Sequence, residues 1–332
     1  MDDFTDLQRL KTAVLCGGPG VERAVSLESG DAVWRTLTSS GFRVTKAVLP
    51  EVGYNEYLEK LDCQVAVMML HGEFGEDGQP QAILERRGIP FSGPDSETCR
   101  LAIDKAAVKA RLDQVGVATP RWLTPDSNET PISLVARLEA SEINPPLVVK
   151  PNSRGSSVGI SIINKMSQLP AAIALAREVD EHILIEEFIS GRELTIGWLD
   201  GEVLPIIELT PDGPFYDYRA KYKSDKTRYI CPAHLDPLTY DKVREMTEAV
   251  LTLTRIRDIS RVDIILSEKG PYALEVNTSP GFTSHSLVPL AARQAGITMA
   301  ALCSRLVEMA ANRAGLAKGQ ENQFYLGQGI CL

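Results

Sequence analysis

Arg261-Val262-Asp263-Ile264-Ile265-Leu266 and Tyr272-Ala273-Leu274-Glu275-Val276-Asn277 both alternate in side-chain character, so each reads as a strand with one apolar face. Ser267-Glu268-Lys269-Gly270-Pro271 can close a hairpin between them. A symmetric register sets Asp263 opposite Glu275 and Arg261 opposite Asn277. Two carboxylates facing each other across a ladder repel unless a cation lies between them. Hard oxygen ligands with an amide beside them suit Mg²⁺, whose shell is commonly completed by phosphate oxygens. An ordinary solvated strand face is the plainer reading of one carboxylate pair. The next stretch, Thr278 to Ser286, is a polar, Gly-containing turn rather than another core element. Together they point to a metal–phosphate site on a sheet with a substrate loop beside it.

At 332 residues the chain is long enough for two or three compact units. A hydrophobic share of 44% supports real cores, and a net charge of −9 argues against wholesale binding to nucleic acid or an anionic membrane. The first residues lack the basic and apolar regions of a signal peptide, and no apolar run approaches membrane-spanning length. Cys16, Cys63, Cys99, Cys231, Cys303 and Cys331 have no metal-ligand spacing, so reduced thiols and a cytoplasmic location are expected.

Strands and helices alternate at first: a strand over 11–16, a helix through Trp34 and Leu37, and strands over 42–48 and 65–70. His71 to Gly78 reads as a loop, and Gly93-Pro94-Asp95 marks a boundary. Leu101, Lys105, Val108, Leu112 and Val115 follow one helical spacing up to Gly116. Strands over 146–151, 158–163 and 183–188, with a helix over 171–177, form a small α+β unit. From Gly191 a mainly antiparallel unit follows. The stretch Pro211 to Pro237 is long, polar and aromatic, as a lid would be. Helices are expected over 238–255 and 299–311, and the end of the chain reads as a polar tail.

Several smaller patterns bear on chemistry. Gly155-Ser156-Ser157-Val158-Gly159 offers backbone N–H groups with little side-chain obstruction, as a phosphate-covering loop needs, although most such loops are turns. Lys105 and Lys150 can supply positive charge for phosphates. Gly17-Gly18-Pro19-Gly20 lacks the spacing of a dinucleotide fingerprint, which argues against an oxidoreductase. Glu22 and Arg23 could reach a ligand from that turn, with helix capping as the alternative for Glu22. Ser284, His285 and Ser286 precede a helical repeat beginning at Leu287. A helix N-terminus can take a carboxylate, and an ordinary serine cap explains the same residues. His71, in its Gly-rich segment, is a better candidate for substrate contact than His285. Tyr216, Tyr218, Lys221 and Tyr222 could anchor the long loop.

These segments together resemble the D-alanine–D-alanine ligases of the ATP-grasp superfamily. The likeness rests on Val21-Glu22-Arg23, His71-Gly72, Gly75-Glu76-Asp77-Gly78, Asp104-Lys105, the 155–159 loop, Phe215 to Tyr218, Ala220-Lys221-Tyr222, Arg261-Val262-Asp263 and Glu275 through Pro289. It implies an α/β and α+β, three-domain ATP-grasp architecture. An N-terminal parallel-sheet (preATP-grasp) domain would span 1–96 and a central subdomain 97–188. A C-terminal subdomain would span 189–313 with lid 211–237, followed by a tail over 314–332. ATP would lie between the latter two subdomains. The resemblance gives nucleotide contacts to Lys105, Lys150, Ser157, Glu186 and Glu193, with Lys221 near the transferred phosphate. Two Mg²⁺ ions, with Mn²⁺ as a substitute, would be held by Asp263, Glu275 and Asn277. Glu22 would receive the first substrate's ammonium group, with Ser156 and Tyr222 as hydrogen-bonding partners and His71 nearby. Arg261 and the Gly281 N–H would stabilise an oxyanion. Ser286 and the helix start at Leu287 would take the second substrate's carboxylate.

The chemistry so implied is ATP-dependent joining of two D-alanine molecules through an acyl phosphate, for peptidoglycan precursor synthesis, by a homodimer. Tyr222 favours an amine over a hydroxy acid as nucleophile. Ala24, Gly20, Phe282 and Asn152-Ser153-Arg154 depart from common family usage without removing a reacting group. The competing class is a silent nucleotide-binding homologue. Loss of a metal ligand, Arg261 or Ser156 would mark it, and all are present.

Overall fold

Three sheets organise the structure, a computed structural model that describes residues 3–126, 129–155, 158–210 and 227–316. After α1 (Asp3–Arg9), β1 (Thr12–Gly17) runs buried between β2 (Val44–Leu49) and β3 (Val65–Met68), both parallel to it. The unbroken apolar run of β1 fits a strand covered on both faces. α2 (Arg23–Ser39) and α3 (Tyr54–Glu59) make the crossovers. The segment 71–78 is not all loop: α4 (Gly72–Glu76) forms there and α5 (Gln79–Arg86) follows. Phe74 enters the apolar core and the Glu76 side chain accepts the Gly72 N–H at 3.0 Å, which supports a helix of only 5 residues.

The helix expected through Leu101 and Val115 is two, α6 (Ser96–Ile103) and α7 (Lys105–Gln114). Asp104 between them is extended and caps α7 by accepting the Ala107 N–H, the competition that makes aspartate an N-cap rather than a mid-helix residue. A four-stranded antiparallel sheet follows, ordered β4 (Trp122–Leu123), β7 (Ile183–Glu187), β5 (Leu147–Pro151), β6 (Ser161–Ile163). It is covered by α8 (Pro131–Ala140), which the sequence reading had not assigned, and α9 (Leu169–Arg177).

The third sheet is antiparallel and built on β8 (Arg192–Leu199). β8 pairs with β9 (Glu202–Val203), with β10 (Ile207–Thr210) and its neighbour β11 (Arg228–Ile230), and with β12 (Ile259–Ser267), which pairs with β13 (Gly270–Asn277). β11 lies within the stretch read as a lid loop; residues 211–226 of that stretch lie outside the described residues, as do 317–332 of the tail. α10 (Pro237–Thr254), α11 (Leu287–Gln294) and α12 (Met299–Arg313) complete the chain.

Packing does not follow chain order. The core of the third sheet includes Ala102, Val108 and Leu112 from α6 and α7, beside Leu194, Val250 and Val262. The central sheet keeps its own core of Leu123, Leu138, Val149, Ile163 and Ile185. A single apolar cluster joins Val14, Cys16, Leu37 and Val67 to Leu199, Ile207, Phe282, Leu306 and Ala310. The first sheet and the last helix are therefore one body energetically. The five described cysteines are free thiols, and no single described helix is long and apolar enough to cross a membrane.

A polar clasp reinforces this union. Buried Asp258 accepts the Gly93 N–H at 2.8 Å and pairs with Arg313, while Arg257 Nε donates to the Gly93 carbonyl at 3.0 Å. Arg313 also donates to the Phe91 carbonyl. Replacing Arg313 with Met leaves the Asp258 carboxylate buried without its counter-ion. The expected loss is about 2 kcal/mol, below the full buried-pair value because Arg313 is partly exposed. A melting temperature unchanged from wild type would refute the clasp as a stabilising contact.

Candidate active site

On β8, β12 and β13 one face packs into the core while the other carries the chemistry. Leu194, Ile196, Val262, Ile264, Ala273 and Val276 are buried on the first. The expected register holds on the second: Asp263 faces Glu275 and Arg261 faces Asn277. A bulge is needed to achieve it. From the turn, Ile264 pairs with Ala273, yet Asp263 pairs with Glu275, so Leu274 is an extra residue in β13.

Arg261 grips Asp263 in a fork, Nε to Oδ1 and Nη2 to Oδ2 both at 2.9 Å. Thr195 from β8 donates to Oδ1 at 2.6 Å. A carboxylate has about four acceptor directions, so these three bonds leave room on Oδ2 for a cation. Glu275 lies 3.5 Å from the Lys105 ammonium, and Asn277 Oδ1 accepts the Ser279 N–H at 3.0 Å. The donor set is two carboxylate groups and an amide, which fits a hard cation that fills its shell with phosphate oxygens. Among the described residues no three His, Cys, Asp or Glu side chains cluster. Glu193 is half-buried on β8, opposite Ile265.

Cations gather on the neighbouring side. Lys105, at the start of α7, donates to the Arg154 carbonyl at 2.8 Å. Asn152 ties the same loop to that helix, accepting the Ala106 N–H at 2.9 Å and donating to Asp104 at 2.8 Å. Arg154 makes an ion pair with Glu73 of α4. Glu186 on β7 is 2% exposed and lies 2.9 Å from each of two ammonium groups, Lys150 and Lys109. Burial pushes its carboxyl up, but the two lysines outweigh that and hold it below the ordinary value. Oε1 of Glu186 faces the Lys109 ammonium and Oε2 that of Lys150, so each carboxylate oxygen has a cation beside it. Lys109 is a residue that the sequence reading missed, though it stands one helical turn after Lys105.

The amino-acid side is built around two close approaches. Glu22 precedes α2 without capping it, so the capping alternative is not realised. Gly72 has φ +76°, and a Cβ there would lie 2.4 Å from Glu22 Oε2; one at Gly155 would lie 3.4 Å from the same atom. Glu22 thus sits, 7% exposed, between the turn at Gly72 and the glycine loop. Arg23, a candidate for ligand contact, is instead bound to the carbonyls of Gly18 and Leu49 at 2.7 and 2.9 Å. Glu76, quoted above only within a motif, accepts from Gly72 and from Thr278 at 3.3 Å. Burial, followed by the charge of Glu22, raises its carboxyl to about 7.

His71 spans α2 and the 278–286 loop. Its Nδ1 lies 2.9 Å from the Ser279 carbonyl and its Nε2 3.0 Å from Ser29 Oγ, which accepts the Phe282 N–H at 3.0 Å. Both ring nitrogens hold protein groups, so His71 fixes the loop that presents Gly281. Burial lowers its pKa to about 4, helped by the charge of Arg261 and opposed by the Ser279 bond. Ser286 occupies the N-cap position of α11 but makes no cap bond; its hydroxyl accepts the Thr283 N–H at 2.8 Å. A Cβ on Gly281 would lie 2.8 Å from that hydroxyl. Ser156, Ser157, Tyr216, Tyr218, Lys221 and Tyr222 lie outside the described residues.

The chain is similar to known proteins over most of its length. Residues 112–308 match the family model described as the D-ala D-ala ligase C-terminus. The D-alanine–D-alanine ligase of Methylacidiphilum infernorum is 38% identical over 301 residues, 90% of this chain and 94% of its own. The crystal structure of D-alanine–D-alanine ligase from Bacillus anthracis complexed with ATP superposes with a TM-score of 0.80 at 30% identity, covering 92% of this chain and 98% of that one. The VanG D-Ala:D-Ser ligase from Enterococcus faecalis gives 0.79 at 27% identity, covering 91% and 100%.

The buried neutral His71 makes a pH prediction. Its pKa falls from 6.5 to about 4 on folding, so between those values the unfolded chain binds the extra proton and stability drops with pH. The loss from this residue is about 3 kcal/mol across that window. A His71→Gln protein lacks this slope, so its deficit in melting temperature relative to wild type shrinks from pH 7 to pH 4. A constant deficit would show that His71 is not buried in neutral form.

Proposed function

The chain belongs to the D-alanine–D-alanine ligase family, and from that membership we propose that it joins two D-alanine molecules to D-alanyl–D-alanine at the expense of ATP. The observation that carries the reading is the ladder register. It sets Asp263 opposite Glu275 and Arg261 opposite Asn277, on a face bordered by Lys105 and by the loop of Gly281.

ATP lies between the central and third sheets, with Lys105, Lys150 and Lys221 toward the phosphates and Glu186, Glu193 and Ser157 completing the contacts. Asp263, Glu275 and Asn277 would hold two Mg²⁺ ions, or Mn²⁺ in their place, which would neutralise charge on the phosphoryl group. The first D-alanine puts its ammonium group on Glu22, with Ser156 and Tyr222 beside it. His71 holds the substrate loop in place from behind. The carboxylate of that D-alanine takes the γ-phosphoryl group and ADP departs. The second D-alanine, its carboxylate at Ser286 and the Leu287 helix start, attacks the carbonyl carbon through its amine. The tetrahedral oxyanion lies against Arg261 and the Gly281 N–H, where such donors are each worth about 10²–10³ in rate. The carbonyl re-forms as phosphate leaves and the amine loses its proton. A lid over 211–237 shields the acyl phosphate from water. Along the chain the domains divide near residues 96 and 188, with α6 and α7 packed into the core of the third sheet; the protein works as a homodimer in the cytoplasm, and its product feeds peptidoglycan synthesis.

A different second substrate is the alternative with a specific basis, because a D-Ala:D-Ser ligase shares this fold over its whole length. Phosphate release from Mg·ATP should depend on D-alanine alone, with D-alanyl–D-alanine found by mass. Preferential formation of D-alanyl–D-serine or D-alanyl–D-lactate in mixtures would reassign the second site. No release with any of these from protein that binds ATP would sink the ligase reading. Glu275→Gln should cut turnover at least tenfold and raise the Mg²⁺ requirement with an unchanged melting curve; wild-type turnover at limiting Mg²⁺ would remove Glu275 from the metal site.

A further inference from the structure

Lys109 is among the largest fully buried side chains of the described residues, 1% exposed, and it carries an ammonium group. Such burial is costly without partners. Its Nζ lies 2.6 Å from Thr119 Oγ1, 3.4 Å from the Pro120 carbonyl and 2.9 Å from Glu186 Oε1. Thr119 in turn donates to the Ala273 carbonyl at 2.8 Å, and the Ala273 N–H returns a bond to the Ala118 carbonyl at 2.9 Å. Ala273 is two residues before Glu275 on β13. One lysine therefore touches the central sheet at Glu186 and, through a single hydroxyl, the strand that bears a metal ligand.

The charge count gives this contact a purpose. Glu186 needs one cation to be neutralised, and Lys150 already stands 2.9 Å from its Oε2. Lys109 makes the buried group net positive, which favours an anion beside it. Its helix belongs to the core of the third sheet, whereas Glu186 and Lys150 belong to the central sheet. The ion pair thus crosses between the two bodies that flank the nucleotide cleft.

We propose that Lys109 is a positioning residue for nucleotide binding: it fixes the Glu186 carboxylate and, through Thr119, sets the central sheet against β13. It acts through Glu186 and Lys150 rather than by touching substrate. The inference rests on nucleotide lying between these sheets, and not on the identity of the amino acids joined. Burial lowers the Lys109 ammonium to about 8, opposed chiefly by Glu186 and reinforced by Lys150; Asp113, one turn on, is the other charged neighbour. Above that pH the lysine loses its proton and the link weakens.

The test is binding of Mg·ADP to the whole protein by calorimetry between pH 7 and 9.5, alongside KM for D-alanine and thermal melting. Wild-type affinity should fall as pH rises through about 8. Lys109→Met should raise the Kd for ADP tenfold or more, abolish that alkaline loss and leave KM for D-alanine within twofold. Adding Glu186→Gln should return the melting temperature without returning the affinity. A folded Lys109→Met protein with wild-type Kd overturns the proposal. So does one whose affinities for ADP and D-alanine fall in equal proportion with its melting temperature, which is the mark of a merely structural lysine. If Lys109→Met does not fold, Thr119→Val carries the test, since it removes the hydroxyl between Lys109 and β13 and keeps the Lys109–Glu186 pair. A rise in Kd of threefold or more supports the proposal, and an unchanged Kd overturns it. Wild-type protein that binds ADP but makes no dipeptide would refute the ligase reading and leave this inference standing.

Discussion

Asp263 and Glu275 meet across the ladder only because β13 carries one more residue than β12 beside them. Counted straight from the turn at Ser267 and Gly270, Asp263 would face Leu274, and Glu275 would face the buried Val262. The extra residue restores the alternation, so that Arg261, Asp263, Glu275 and Asn277 all project from one face while Val262 and Val276 stay in the core. The repulsion thus created is held in check by Arg261 on one carboxylate and Lys105 near the other. Nearly every other feature of the site is arranged around that pair: α7 brings Lys105, β8 brings Thr195, and the loop after Asn277 turns back over the face.

Alternation made this hairpin readable in the sequence, because a period of two needs no knowledge of the partner. The bulge itself was not readable; the pairing of Asp263 with Glu275 was foreseen from symmetry alone. Other misses share one cause. The split between α6 and α7 depends on Asp104 being capped into place with Asn152 beyond it, 48 residues away in the chain. The short helix at 72–76 depends on Phe74 reaching the core and on Glu76 turning back to Gly72. Lys109 looked like one more polar residue among Lys105, Val108 and Leu112, and only Glu186 from a distant strand gives it meaning. Arg23 shows the opposite error. Its place beside Glu22 suggested a ligand, whereas the backbone carbonyls at the end of the first sheet claim it.

The family resemblance supplied roles for residues whose local patterns are mute, Glu186 and Glu193 above all. The geometry gives several of those roles a physical basis. Glu186 is buried between two ammonium groups, Ser286 declines to cap its helix, and His71 spends both nitrogens on holding a loop.

The apolar cluster that joins β1 and β3 to α12 reaches from Leu7 to Ala311. A ribosome delivers these residues in order, so the parallel sheet emerges with this face covered only in part, by Val33 and Leu37 of α2. That face must wait for nearly the entire remaining chain before its natural cover is made. A nascent intermediate with exposed strands is the species that aggregates or recruits a chaperone. The union that makes the finished enzyme's outer segments one rigid support therefore also makes its birth late and cooperative, and a stall shortly before residue 299 should be the most hazardous point in its synthesis.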